Sequence, residues 1–376
     1  MRNLPFFQSV STLVGTIIGA GILGLPYVFA KAGFWTGLIV LVAVTLAMIF
    51  TKLMVGEIAL RTSERHQLTG YIGKYLGEKW KILSLLVSVT IYGALLAYFI
   101  GVGEALSAIF GGYYLVYSLI FYLFVSFFIF KGISLIKNIE FILSILVFTI
   151  FIIIVAFSHG HMNLANIQGF DLSKIFIPFG VILFACSGTF AVPEMRQILK
   201  HREHLLKRAI LTGVLFSSVV YAVFAFVAVA VTGQITTEIA TIGLGQEIGI
   251  TILIIGNIFA VFTMSTSSLS SGLALRDMFR YDFGLSRSRA WLLVVIGPLI
   301  LYALGWRDFI QIIGFAGALG FGLEGFEYIF TYWKARRHGS RHPEYVINKY
   351  LAVFMSIYLI VVFLVSFGWV ITDIIK

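Results

Sequence analysis

Gly15-Thr16-Ile17-Ile18-Gly19-Ala20-Gly21-Ile22-Leu23-Gly24-Leu25-Pro26-Tyr27 sits inside a run, Asn3 to Ala30, that carries no charge. About 20 apolar residues take a helix across a bilayer, so the run is long enough to span one. Three glycines within six residues, followed by Pro26, are more than helix packing asks for, although Gly15-x-x-x-Gly19 alone would also serve as a close-packing face. Unwinding at mid-span exposes N–H and C=O groups to hydrocarbon at several kcal/mol each, which is tolerated only beside a cavity. A break near Gly19 to Gly21 would leave the N–H groups and positive dipole of the second half-helix free for a carboxylate, and the loose carbonyls of the first half free for a cation. The same glycines match the dinucleotide fingerprint G-x-G-x-x-G, but that site needs a preceding strand, a following amphipathic helix and an acid about 20 residues on. The next acid is Glu57 and both flanks are apolar spans, so a nucleotide site is excluded.

Outward from this stretch, the 376 residues are 60% hydrophobic and 12% charged, with a mean hydropathy of +1.00, a balance that calls for lipid as the solvent. Eleven spans are read near 6–31, 33–60, 82–108, 115–131, 138–157, 174–198, 206–232, 247–275, 289–305, 309–332 and 350–372. Leu, Ile, Phe and Val fill them without a period of two, which excludes a barrel of alternating strands and makes the protein all-α. The stretches 158–173, 233–246 and 61–81 read as non-helical and are too short for a separate soluble domain, so residues 1–376 form a single transmembrane domain.

Lys and Arg set the orientation, because basic loops stay in the cytoplasm. With the N-terminus inside, Arg2, the 61–81 loop, Lys131, Lys137, Arg196 to Arg208, Arg276 to Arg289 and Lys334 to Lys349 lie on the inner side, and Lys31, Lys174, Arg307 and Lys376 lie outside. An odd number of spans puts the C-terminus outside an inner or plasma membrane. The asymmetry accounts for the net charge of +10, and no nucleic-acid partner is needed to explain it. The first apolar stretch is too long for a secretory signal of 7–15 residues and stays as a helix. Cys186 is the single cysteine, so no intramolecular disulfide is available.

A second interruption falls in the sixth span, where Cys186-Ser187-Gly188-Thr189 leads to Pro193 and Glu194. Spans one to five (about 6–157) and six to ten (about 174–332) then each begin with a broken helix, and an odd repeat length makes the halves run in opposite directions, with 350–372 as an extra helix. A proline kink in a packing helix is the plainer reading of the second interruption alone.

The stretch Gly15 to Tyr27, followed by Ala32-Gly33, resembles the first-helix signature of the amino acid/auxin permease family, within the amino acid–polyamine–organocation superfamily, and Ser187-Gly188 with Val192-Pro193-Glu194-Met195 is similar to that family's sixth helix. The resemblance implies a five-plus-five inverted repeat and amino-acid transport by alternating access. It also implies that the Gly19, Ala20 and Gly21 backbone holds the substrate carboxylate while Phe184, Ser187, Gly188, Thr189 and Phe190 shape the pocket. Small residues at a break admit a ligand close to the backbone, and aromatic residues seal it from water. Tyr92 and Tyr98 of the third span are candidate lids. With no mid-span aspartate to neutralise a cationic side chain, a neutral substrate, bulky or aromatic, is expected.

The eighth span carries Thr263, Ser265, Thr266, Ser267, Ser268, Ser270 and Ser271. Thr263, Thr266 or Ser267, and Ser270 or Ser271 share one stripe, where hydroxyls can complete a hard-cation site with the carbonyls of Gly15 and Ile18, and the resemblance implies Na+ between the first and eighth helices in many relatives. Back-bonding of the hydroxyls to their own helix is the alternative. Proton coupling is the rival: the fifth span from Phe141 to Phe157 has no lysine, so a proton would need an acid. Glu57, Glu104, Glu194, Glu324 and Glu327 are the acids available; Glu57 and Glu194 are expected to pair with Arg61 and Arg196, and Glu324 and Glu327, which share a face of the tenth span, are the gating or proton-carrying candidates. Apart from Na+ or H+ as coupling ion, no cofactor is expected. An enzyme is disfavoured because all seven histidines lie in loops or at span ends, His159 and His161 among them. An amino-acid sensor on a transporter fold, or a transporter of another small organic solute, are the alternative functions.

Overall fold

The computed structural model describes residues 4–132 and 136–375, with the side chains of 83, 86, 87, 89, 136–144, 321–324, 366, 367 and 369–375 outside that description. Among the described residues there are helices and no strands. In chain order they are α1 (Leu4–Ile17), α2 (Ala20–Ala32), α3 (Phe34–Leu60), α4 (Leu68–Leu76), α5 (Glu78–Leu83), α6 (Ser88–Phe110), α7 (Tyr114–Lys131) and α8 (Ile136–Ser158). There follow α9 (Phe179–Ala185), α10 (Val192–Ile198), α11 (Leu206–Thr232), α12 (Ala240–Ile248), α13 (Ile250–Asp277), α14 (Arg287–Ala303), α15 (Phe309–His338) and α16 (Lys349–Ile375). Helix occupies every one of the eleven ranges read from the sequence. Among the described residues six unbroken helices are long and apolar enough to cross a membrane, and the pair α1 and α2, bent by 52° at its break, makes a seventh.

The stretches read as non-helical need correction. Segment 61–81 contains α4 and most of α5, 233–246 contains most of α12, and 158–173 is taken up largely by short 3-10 turns. What stabilises α4 is remote in sequence: the Asp282 carboxylate accepts from the Thr69 hydroxyl and, at 3.1 Å, from the Gly70 N–H. The Gly70 N–H belongs to the first turn, whose N–H groups have no acceptor within the helix. Asp282 belongs to a π-helical turn, Met278–Asp282, that continues α13.

The core lies where α1 packs on α11, α2 on α9, α9 on α15 and α6 on α13. Most of α3 is buried, including two charged residues at 0% exposure, Lys52 and Glu57. Glu57 is a fastening, as the i, i+4 spacing to Arg61 predicts. Its carboxylate pairs with the Arg61 guanidinium at 2.7 Å and accepts from the Ile347 N–H at 2.8 Å and the Tyr332 hydroxyl at 3.3 Å. Three donors for one buried carboxylate offset its desolvation and lock the segment before α16 over the end of α3.

Candidate functional site

The first broken helix fails where glycine lets it. Ile18 makes the last backbone bond of α1, to the Val14 carbonyl at 2.8 Å, and Gly19 (φ −134°, ψ −137°) leaves helical geometry before α2 starts at Ala20. The opening N–H groups of α2 have no intrahelical acceptor and lie at the positive end of its dipole. Glycine here is a matter of space as well as conformation. A Cβ on Gly19 would sit 2.5 Å from Ser267 Oγ and 3.2 Å from the Tyr98 hydroxyl, and one on Gly21 would sit 2.5 Å from both Cα and Cβ of Ala185.

The second break is made by a left-handed residue. α9 stops at Ala185, Gly188 adopts φ +95°, a conformation natural to glycine, and a 3-10 turn over Thr189–Ala191 leads into α10, which opens on Pro193. A Cβ on Gly188 would lie 3.1 Å from Thr16 Cγ2 and 3.7 Å from the Ile17 nitrogen. The two breaks therefore face each other, Gly188 against the end of α1 and Gly21 against the end of α9.

Both helix ends leave carbonyls that need donors in a place without bulk water, and three side chains from three other helices supply them. Ser267 of α13 donates between the Gly15 and Ile18 carbonyls at 3.1 and 3.2 Å. Tyr221 of α11 donates between the Ile17 and Ala185 carbonyls at 2.6 and 2.8 Å. The Lys52 ammonium of α3 donates to the Cys186 carbonyl at 2.9 Å. All three are fully buried. From the break a cavity of about 510 Å³ runs past Thr16, Phe190 and Ser270 to Arg65, His66 and Asp277. Burial holds the His66 imidazole below its ordinary pKa, partly offset by the nearby Asp282 carboxylate.

Comparison with known proteins bears on this arrangement directly. Residues 3–368 match the sequence profile of the tryptophan/tyrosine permease family. The chain belongs to that family. It is 22% identical to glutamine transporter 2 of Aliivibrio fischeri, over 84% of this chain and 86% of that protein. It is 24% identical to tyrosine-specific transport system 1 of Haemophilus influenzae, over 89% of each. Among solved structures the fold resembles the nucleobase-cation-symport-1 family transporter Mhp1 in a closed conformation with bromovinylhydantoin bound (TM-score 0.68, 13% identity, 97% of this chain and 91% of that one). It also resembles the Eremococcus coleocola manganese transporter in complex with an aromatic bis-isothiourea compound (TM-score 0.70, 14% identity, 97% and 86%). The permease is thus a multi-pass membrane protein with a transporter fold.

Around the breaks of the permease, the residues expected at the site separate into two groups. Gly15, Ile18, Gly19, Ser267 and Tyr98 come together, the Tyr98 hydroxyl sharing hydrogen bonds with Ser267 and Ser271. Ala20, Gly21, Gly188 and Thr189 are buried between the two breaks, Ser187 is half-buried, and Phe190 lines the cavity. Phe184 is buried where α9 crosses Gly317 of α15, a Cβ there falling 2.8 Å from its own. Tyr92 lies elsewhere, packed on Gly297 of α14 and donating to the Leu293 carbonyl at 3.2 Å. Thr263 donates to the Phe259 and Ala260 carbonyls, both at 3.0 Å, and Thr266 to those of Phe262 and Thr263 at 3.2 and 2.9 Å, so both hydroxyls are engaged by their own helix. Glu327 is buried in α15, ten residues past the Gly317 contact and therefore roughly 15 Å further along the axis. The Glu324 side chain lies outside the described residues.

Two residues of the site, Lys52 and Tyr221, are absent from the sequence reading. An intramembrane lysine is a functional signal in itself, and Lys52 could have been found that way. Tyr221 is one of 17 tyrosines and carries no such mark. The hydroxyl geometry also yields a prediction. Ser267→Ala is expected to lower transport about tenfold, since two buried carbonyls lose their donor at about 1–3 kcal/mol. Thr263→Val is expected to stay within about twofold, because its hydroxyl serves only its own helix turn. Initial uptake rates of the two variants in liposomes, compared at equal protein, check the contrast.

Proposed function

We propose that this permease is a secondary active transporter of neutral amino acids, aromatic or bulky, driven by a Na+ or H+ gradient and working by alternating access. The observation that carries the reading is the pair of facing helix breaks, with Gly21 at the start of α2 against Ala185 at the end of α9, and Gly188 against Thr16 and Ile17 at the end of α1. The N–H groups that open α2 lie at the positive end of its dipole, which suits a carboxylate. Family membership supports a permease, and tyrosine and glutamine transport by the named relatives supports an amino acid as cargo. The first-helix signature supports placing the chain within the wider amino acid/auxin permease group.

Eleven spans in a five-plus-five inverted repeat, with α16 as the extra helix and the N-terminus in the cytoplasm, complete the reading. Under that topology the cavity at Arg65 and His66 lies toward the cytoplasm. For a coupling cation, the Gly15 and Ile18 carbonyls with Ser267 Oγ are the oxygens that would contribute, Thr263 and Thr266 being turned to their own helix. The chain's part in the cycle is to bind and orient the amino acid and to exclude water from it, and no covalent step is assigned to any residue.

The test is uptake of radiolabelled amino acids by purified protein in liposomes under a Na+ gradient, a proton gradient or neither. Accumulation of tyrosine or tryptophan under one gradient, with little accumulation of lysine or glutamate, is the expected result. Folded protein that accumulates no amino acid under any gradient would contradict the proposal.

A further inference from the structure

Tyr221 stands in the middle of α11, fully buried, with one hydroxyl between two carbonyls that are far apart in the chain. They are the Ile17 carbonyl at 2.6 Å and the Ala185 carbonyl at 2.8 Å, and Ile17 and Ala185 are the last residues of α1 and α9. A phenol has one proton to donate, so the two broken helices share a single donor. The halves it joins are the N-terminal halves of both broken spans. In a pair of spans that run in opposite directions, α1 is the inner half of its span and α9 the outer half of the other.

We infer that Tyr221 is a positioning residue that couples the two gates: its hydroxyl ties the inner half-helix α1 to the outer half-helix α9, so that α1 can swing only by giving up its share of that tie. When α1 swings away to widen the inner cavity, the bond to Ile17 must lengthen and the hydroxyl donates to the Ala185 carbonyl alone. When α1 returns, the shared geometry is restored. The two carbonyls thus compete for one proton, and the position of α1 sets the hydrogen bonding at the end of α9. α11 is suited to this, because it packs on α1 and α2 and carries the hydroxyl on a continuous helix without a break of its own. The Lys52 ammonium, bonded one residue further on at the Cys186 carbonyl, fixes the end of α9 from the other side and leaves α1 as the moving partner.

The inference rests on the transport reading, and the experiment separates the two. Wild type and Tyr221→Phe, full length in liposomes, are compared for tyrosine affinity, for the initial rate of net tyrosine uptake, and for thiol labelling at Ala274→Cys, a reporter in α13 on the wall of the cavity that Thr16 of α1 also lines. The native Cys186 is buried and gives little background. Tyr221→Phe is expected to keep tyrosine affinity within about threefold, to lower net uptake at least tenfold, and to speed labelling at position 274 about fivefold, because α1 is released from α9. Affinity and uptake falling together would make Tyr221 a structural residue only and overturn the inference, as would unchanged uptake. Should wild type neither bind nor accumulate tyrosine, the transport reading fails for that cargo, and labelling alone then decides: faster labelling in Tyr221→Phe supports the tie between the half-helices, and equal labelling overturns it.

Discussion

Gly21→Ala is expected to lower the initial rate of amino-acid uptake roughly a hundredfold. The added methyl would fall 2.5 Å from Cα and Cβ of Ala185 and 3.2 Å from its nitrogen, so it meets backbone that cannot rotate aside. Relief requires the start of α2 to move away from the end of α9, and with it the N–H groups that face the second break. Overpacking of this kind costs up to about 3 kcal/mol, which is about two orders of magnitude in a rate when the strained contact belongs to the working state. Gly19→Ala makes a useful comparison. Its methyl would meet Ser267 Oγ at 2.5 Å, the end of a side chain that can turn, and the loss should be several times smaller. Uptake by the two variants, each checked for monodispersity and thermal midpoint, tests this. Gly21→Ala transporting at the wild-type rate would mean that α2 and α9 do not need this approach.

Lys52→Met is expected to reduce uptake about thirtyfold while the protein still folds. The lysine lies at 0% exposure, and its ammonium, 2.9 Å from the Cys186 carbonyl, caps the negative end of the α9 dipole. Methionine keeps the length and apolar stem of the side chain but leaves the carbonyl without that donor. A hydrogen bond from a charged group is worth about 1.5–3 kcal/mol, and its loss at a helix break frees the backbone to take other paths. Lys52→Arg should not rescue, because the planar five-donor fork has no room in a fully buried slot shaped for a compact ammonium. Uptake in liposomes with circular dichroism as the folding control measures the effect. Full activity in Lys52→Met would remove Lys52 from the site.

Much of this site can be read from the chain because the features that build it are local. Glycines crowded into a charge-free run point to the first break, and Gly188 with Pro193 points to the second, since left-handed backbone and a proline at a helix start leave direct marks in sequence. Ser267 is reached the same way, through a stripe of hydroxyls, but the stripe does not say which members turn outward, and Thr263 and Thr266 turn out to bond their own helix. Tyr92 and Tyr98 both read as lids in the sequence, yet six residues along a helix amount to about 240° of rotation, which puts them on different faces. Only Tyr98 reaches Gly19. The remaining parts depend on contacts between distant segments. Asp282 caps α4, Tyr221 bridges residues 204 and 36 positions away, and Lys52 reaches across 134 residues to Cys186. No periodicity or propensity carries such information.

The central claim is that an amino acid binds between the two helix breaks, and a structure of the permease in lipid with tyrosine bound tests it most directly. The carboxylate is expected within hydrogen-bonding distance of the Ala20 and Gly21 N–H groups, and the ring between Tyr98 and the Ser187 to Phe190 segment. Tyrosine seated elsewhere, for instance at the basic mouth beside Arg65 and away from both breaks, would contradict it.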